Sequence, residues 1–331
     1  KAQYGDSEAN PLTMANHLYV NNSKVEKLVI PSSVTSIGDY AFKNCTDLTS
    51  VTIPNTVRNI GTAAFYGCVK LDSFTIPKSV TRVGQFAFEE TAWYDKQPDG
   101  LLYKDNVLLP NKGEMKLIYK RNGGFNDHIR IKSGTRVIAD YAFANHGILA
   151  SVTIPNTVTS IGDYAFCATA LTSVTIPSSV TSIGNGAFSD CYSLDNVTIP
   201  SSVTSLSDNL FWQCTNLSNV TIPEGVTSIG KEAFCITALT SVTIPSSVKS
   251  IGNGAFSECN NLTSVTSLIR NPFMIDKSVF SYTDYSWYGY TYFTSATLYV
   301  PKGTKAKYKA TDGWKNFSTI VEVGVSEEET V

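Results

Sequence analysis

Charge is scarce in this chain. Only 16% of its 331 residues are Asp, Glu, Lys or Arg, and the formal net charge is −2. No basic stripe runs along it, which argues against a nucleic-acid footprint. No apolar run approaches membrane-spanning length, so no membrane insertion is expected within it. No signal segment is visible, but a chain that begins at Lys1 is expected to be a trimmed mature form or a fragment. Histidine is confined to His17, His128 and His146. None stands at a motif spacing from a Ser or Cys nucleophile, and Gly-x-Ser-x-Gly, His-Glu-x-x-His and Gly-rich phosphate loops are missing. Cys-x-x-Cys and Cys/His clusters are missing too, which argues against zinc. The strand positions carry Ser, Thr and Asn, so paired acids for glycoside hydrolysis are not visible there. No catalytic residue, metal ligand or cofactor is therefore assigned, and the chain is expected not to be an enzyme.

What the chain does have is repetition. The motif Val-x-Ile-Pro-x-x-Val-x-x-Ile-Gly-x-x-Ala-Phe returns along it. Its first Ile falls at Ile30, Ile53, Ile76, Ile131, Ile154, Ile176, Ile199, Ile222 and Ile244, in steps of 23, 23, 55, 23, 22, 23, 23 and 22. A near-fixed period of this size is the signature of a solenoid. Within one repeat, Ser50 to Ile53 alternates polar and apolar, as a half-buried strand does. Pro54 lacks an amide hydrogen and ends the strand. Val57 and Ile60 point inward on a second short extended run, and Gly61 turns the chain. Ala64 and Phe65 are expected on one helical or 3₁₀ turn, opened in sister repeats by the capping types Asp39, Asp163, Asn185 and Asn253. One unit cannot bury its own apolar residues, but stacked units can. The predicted interior column is Phe42, Phe65, Phe88, Phe143, Phe166, Phe188, Phe211, Phe234 and Phe256.

These residues resemble the BspA-type leucine-rich repeats, whose unit reads like Leu171 through Phe188 here, over roughly residues 25–267. The resemblance implies a leucine-rich-repeat right-handed superhelix. It would carry a parallel β-sheet on one face and short strands or helical turns on the other. It also implies a secreted or surface-attached bacterial protein, with adhesion to host matrix or cell-surface proteins as the family theme. A surface glycan is the alternative ligand, and a passive stalk displaying another domain is the alternative role. Leu298 to Gly303, Trp314 and Ile320 look like the family's terminal cap.

The expected organisation is an irregular segment or degenerate coil at 1–24, coils at 25–92, an insertion at 93–127, coils at 128–267, an aromatic-rich insertion at 268–297, and a cap with an acidic tail at 298–331. The first insertion contains Trp93, Tyr94, Tyr103 and Tyr119. Leu101 to Leu109 within it reads as a hairpin turning at Asp105-Asn106. It is either a binding projection or a degenerate coil, and the family's similar Trp-Tyr insert favours the structural reading. Cys45, Cys68, Cys191, Cys214 and Cys259 each fall three residues after the repeat Phe, in a column shared with Thr91 and His146. That regularity favours buried thiols that act as small hydrophobes.

Three surfaces could bind. The outward columns Ser50/Thr52 to Ser264/Thr266 form a hydroxyl ladder, which strand propensity alone also explains. His128 and Arg130 interrupt it beside the insertion, which is the second surface. The third surface is Tyr282, Tyr285, Trp287, Tyr288, Tyr290 and Tyr292, six aromatics in a Ser/Thr/Gly setting with the composition of a binding loop. A hairpin that covers the end of the core is the competing reading of that segment.

Overall fold

The computed structural model describes residues 17–20, 22–112, 127–284 and 290–324. It is a parallel-strand β-solenoid. Two compact units interleave along the chain: one comprises 1–126, 132–143 and 157–165, the other 127–131, 144–156 and 166–331.

In the first unit, Lys27–Val29, Ser50–Thr52 and Ser73–Phe74 pair in parallel, with Lys27 opposite Ser50 and Ser50 opposite Ser73. A second sheet stacks Ser36–Ile37, Asn59–Ile60 and Arg82–Val83. Equivalent residues meet because the period is constant, so each apolar column continues from coil to coil. Phe42 stacks on Phe65 at 5.2 Å, and Phe65 on Phe88 at 5.5 Å, with nearly parallel rings. Val57, Ile60 and Leu71 are fully buried around them.

The 55-residue step contains a short helix, Ala92–Asp95, capped by Thr91 Oγ1, which accepts the Tyr94 N–H at 3.1 Å. An antiparallel pair follows, Gly100–Lys104 with Val107–Lys112, turning at Asp105 and Asn106. This hairpin takes the place of a coil. Val107–Lys112 pairs in parallel with Val137–Ile138, which pairs with Ser160–Ile161. Asp105 Oδ2 accepts the Ile76 N–H at 2.7 Å, where Ile30 uses the Thr52 carbonyl of the next coil at 3.0 Å. Lys112 Nζ donates to the carbonyls of Tyr94, Asp95 and Gln97 at 2.7–2.8 Å and ties the strand to the helix.

The second unit repeats the scheme. His128–Arg130 pairs with Ser151–Thr153. Ser173–Thr175, Asn196–Thr198 and Asn219–Thr221 run in register. Ser241–Ile244, Ser264–Ser267, Thr297–Pro301 and Thr319–Val323 form a four-stranded parallel sheet. The Phe column runs 166, 188, 211, 234, 256 at 5.3–5.7 Å, and Phe280 continues it at 5.3 Å from Phe256. The sequence motif ends at Phe256, so Phe280 is a member that reading missed.

One local expectation differs. The Ala-Phe segment is a series of turns rather than a helix. Each coil from Phe42 to Phe256 places residues two before and two after its Phe in the left-handed region, as at Tyr40 and Asn44, or Asn209 and Gln213, with φ of 56–60°. The intervening amides then point forward to the next coil: Phe42 N–H donates to Ala64 O and Phe65 N–H to Ala87 O, both at 2.8 Å. The Asp and Asn at the turn start do not cap a helix of their own coil. Asp39 Oδ1 accepts the Thr62 N–H at 2.7 Å, Asp140 Oδ1 the Asp163 N–H at 2.9 Å, and Asp208 Oδ1 the Lys231 N–H at 2.7 Å. The preference of Asp and Asn for free backbone donors was read correctly, but the donors belong to the next coil. The glycine before them permits this approach. A Cβ on Gly61 would lie 2.5 Å from Asp39 N and Oδ1.

Candidate binding surfaces

The first sheets present their polar residues outward. Along Ser173–Thr175 and Asn196–Thr198 the central Val is buried and its neighbours exposed. His128 stands in this ladder, and the hydroxyls of the next coil engage both its ring nitrogens. Nδ1 lies 2.7 Å from Ser151 Oγ and Nε2 3.2 Å from Thr153 Oγ1. Arg130 is exposed two residues on. Their ladder neighbours are hydroxyls, and no aromatic anchor stands beside them on these strands.

The aromatic segment forms a second antiparallel hairpin, Ser281–Asp284 with Tyr290–Phe293, in which Tyr282 and Tyr292 are register partners, as are Asp284 and Tyr290. Tyr285, Trp287 and Tyr288 lie outside the described residues. The base of the hairpin is fixed. Ser281 is buried, Phe293 meets Phe280 at 6.4 Å and Phe317 at 5.1 Å edge-on, and Thr294 N–H donates to Phe280 O at 2.8 Å. Tyr282, the next residue along, is half-buried. The hairpin thus brings Tyr282, Tyr290 and Tyr292 together. His128 and Arg130 belong to the opposite end of this unit's strand series.

Several buried thiols bond to main chain. Cys68 Sγ donates to Phe42 O at 3.0 Å, Cys214 Sγ to Phe188 O at 3.1 Å and Cys259 Sγ to Phe234 O at 3.1 Å. Each returns an S–H to the preceding coil's Phe carbonyl. Thr169 and Thr237, in the same column, donate to their own Phe carbonyls instead. Burial pushes Cys45 up to about 11 and Cys68 to about 12, so the reactive thiolate is suppressed.

Two charged clusters were not anticipated from the sequence, although Lys24, Asp47 and Lys70 of the first stand one 23-residue period apart. Asp47, 7% exposed, is held by Lys24 at 2.8 Å, Lys70 at 3.1 Å and His17. The hydrogen bond from Lys24 is the largest cause that keeps this carboxyl below the usual range. Arg82 forks onto Asp140 at 2.8 Å and Asp163 at 2.6 Å. Asp140 nevertheless sits above the usual range, since loss of hydration outweighs Arg82. Both clusters fasten coils. Among the described residues no group of three or more His, Cys, Asp or Glu is placed to hold a metal, and no helix is long and apolar enough to cross a membrane.

The cap closes the last sheet. Lys305–Ala310 is helical, Trp314–Asn316 forms a 3₁₀ turn, and Tyr308 and Trp314 are fully buried. Tyr308 Oη bonds Ser267 Oγ at 2.6 Å and donates to Ile269 O at 2.7 Å.

A solved leucine-rich repeat protein from Bacteroides ovatus is 22% identical over 90% of this chain and 84% of its own, with a TM-score of 0.44. One from Eubacterium ventriosum is 22% identical over 87% and 90%, with a TM-score of 0.42. A leucine rich cell surface protein from Faecalibacterium prausnitzii is 22% identical over 92% and 89%, with a TM-score of 0.28. No curated protein matches the chain. The BspA type leucine rich repeat region matches in six copies, over residues 13–95 and 136–263. With well over half of its length accounted for by that repeat, the chain belongs to the BspA type leucine rich repeat family.

Proposed function

We propose that the protein is a non-enzymatic, extracellular binding scaffold that recognises proteins of a host matrix or of neighbouring cell surfaces, with the segment 282–293 as its anchor. The observation that carries this reading is the fixed base of the aromatic hairpin. Phe293 and Thr294 are held against Phe280 at the end of a stacked core, so the segment springs from an anchored base, and an anchored base lowers the ordering cost of binding. Family membership supports the scaffold role, and the raised thiols of Cys45 and Cys68 and the charged clusters that fasten coils fit it. His128 and Arg130 would act as secondary contacts on the hydroxyl ladder.

A pull-down against host matrix proteins identifies the partner. Alanine replacement of Tyr285, Trp287 and Tyr288 should then abolish capture, and an unchanged affinity removes the anchor. The aromatic composition also favours a second reading, a glycan-binding module, because flat rings stack on sugar faces. Selective signals on a glycan array, with no capture of matrix proteins, would assign it.

A further inference from the structure

The last regular second strand, Ser250–Ile251, has an open edge. It closes a three-stranded sheet after Ser205–Leu206 and Ser228–Ile229. In the preceding coils the carbonyls beside this strand are taken up by the next coil. Thr227 N–H donates to Thr204 O, Lys249 N–H to Thr227 O, Gly230 N–H to Leu206 O and Gly252 N–H to Ile229 O, all at 2.8 Å. The equivalent acceptors one coil later, Lys249 O and Ile251 O, receive no hydrogen bond from a described residue.

The following segment explains why. It leaves and rejoins the stack in register: Leu268 N–H donates to Ile244 O, and Phe256 N–H to Val279 O, both at 2.9 Å. Between those points Pro272 has no N–H to give, and the cap engages the main chain. Tyr308 Oη donates to Ile269 O at 2.7 Å, Lys307 Nζ to Arg270 O at 3.3 Å and Trp314 Nε1 to Phe273 O at 2.9 Å, while Ile275 N–H donates to Asp312 O at 3.2 Å. The segment therefore stands off as a wall, and a groove follows the strand edge. One lobe, of about 850 Å³ open volume, lies between Val248 and Lys249 on the edge and Leu268, Arg270 and Phe273 on the wall. The next, of about 960 Å³, lies between Ile251 and the stretch Met274 to Lys277.

We propose that this groove is a strand-addition site for an extended peptide that carries acidic side chains. Two carbonyls two residues apart match the N–H groups of alternate residues on an extended chain, and main-chain bonding of this kind is how peptides add to sheet edges. Leu268, Phe273 and the 72% exposed Met274 offer apolar contact to alternate side chains. The charge of the first lobe is one-sided: Lys249 and Arg270 line it, and no acid is among its lining residues. The second lobe is mixed, with Lys277 and Lys315 beside Asp276 and Asp312, so acidic side chains are matched at the first. A lysine on a sheet edge also discourages uncontrolled pairing, so Lys249 would admit acidic strands and turn others away. This site shares no residue with the aromatic anchor and stands or falls without it.

The test is fluorescence anisotropy of the full chain with a labelled octapeptide of alternating Glu and Val. Saturable binding is expected. It should weaken by about tenfold or more in Lys249→Glu/Arg270→Glu, the equivalent of roughly 1.4 kcal/mol, and vanish when alternate peptide amides are N-methylated. A Lys/Val peptide should bind only the charge-reversed variant. Both substituted side chains are exposed, and an unchanged thermal melt verifies the fold. No saturable binding, or binding indifferent to both N-methylation and charge reversal, overturns the proposal. So does concentration-dependent dimerisation abolished by the same reversal, which would make a second copy the occupant. Binding seen only after removal of residues 325–331 would assign the groove to this chain's own acidic tail and likewise overturn it.

Discussion

The coil at 241–256 and the one after it, 264–280, begin alike and end alike. Their first strands pair residue for residue, and Phe256 stacks on Phe280 at 5.3 Å with rings 5° apart. Between those points they diverge. The first keeps a second strand at Ser250–Ile251, and the second has none. The difference is local and chemical. Ser267-Leu268 replaces Ile-Pro, Asp276 replaces the turn glycine, and Pro272 enters where a ladder donor is needed. In this fold the core column survives the loss of the motif around it, and the main chain freed by that loss is what remains available for recognition.

The comparison breaks most forcefully at the column itself. Phe211→Ala, in a regular coil with no exposed ring surface, should cost about 3–5 kcal/mol. Met274→Ala, on the wall and 72% exposed, should stay within about 0.5 kcal/mol. Urea unfolding of both variants measures this; equal losses would mean that the irregular coil is packed like the regular ones. Glycine gives the next largest contrast. Gly61→Ala drives a Cβ into main chain 2.5 Å away, and a cost of roughly 1–3 kcal/mol is expected from such overpacking. Gly38, at the same motif position in the first coil, has nothing within 4 Å. Gly38→Ala should therefore leave the melting temperature unchanged or slightly raised.

How far these contrasts were legible depends on where the information lies. A side chain that meets its own equivalent in the next coil writes itself into the period, so the Phe column, the outward Ser and Thr, and the buried Cys column could be read directly. Phe280 was harder, since Val279 replaces the usual Ala and the Ile-Pro marker is gone, although its spacing of 24 from Phe256 was a usable signal. The turn conformation was misjudged because Asp and Asn signal free donors without saying whose. Lys24, Asp47 and Lys70 stand one 23-residue period apart, so their alternation of charge was a usable signal that went unread. Arg82 meets Asp140 and Asp163 across the insertion, 58 and 81 positions away, and the open edge at Ile251 depends on the cap; neither relation repeats, and a single sequence carries no mark of them.

The wall is the next test of the contrast between the two coils. Tyr308→Phe removes one hydroxyl that joins Ser267 to Ile269 O. The expected loss is about 1–1.5 kcal/mol, with faster amide exchange confined to residues 268–278. Unchanged exchange there would show that Trp314, Lys307 and the Ile275–Asp312 main-chain bond hold the wall in place without it.

The smallest effect separates the two buried carboxylates, Asp47 and Asp140. Asp47 is held low, chiefly by Lys24. A carboxyl whose folded pKa lies below its unfolded value of about 3.9 contributes stability that is present above that value and lost as pH falls through the folded one. The melting-temperature difference between the native chain and Asp47→Asn should thus be widest near neutral pH and shrink below about pH 4. Asp140 is displaced the other way, because burial outweighs the pull of Arg82. Its charged form is the costly one in the folded chain, so the native chain should gain on Asp140→Asn as pH falls through the raised pKa. Opposite slopes in the two melting series would show that one carboxylate fastens its coil by charge and the other despite it, whereas parallel slopes would mean that both act through shape and neutral hydrogen bonds.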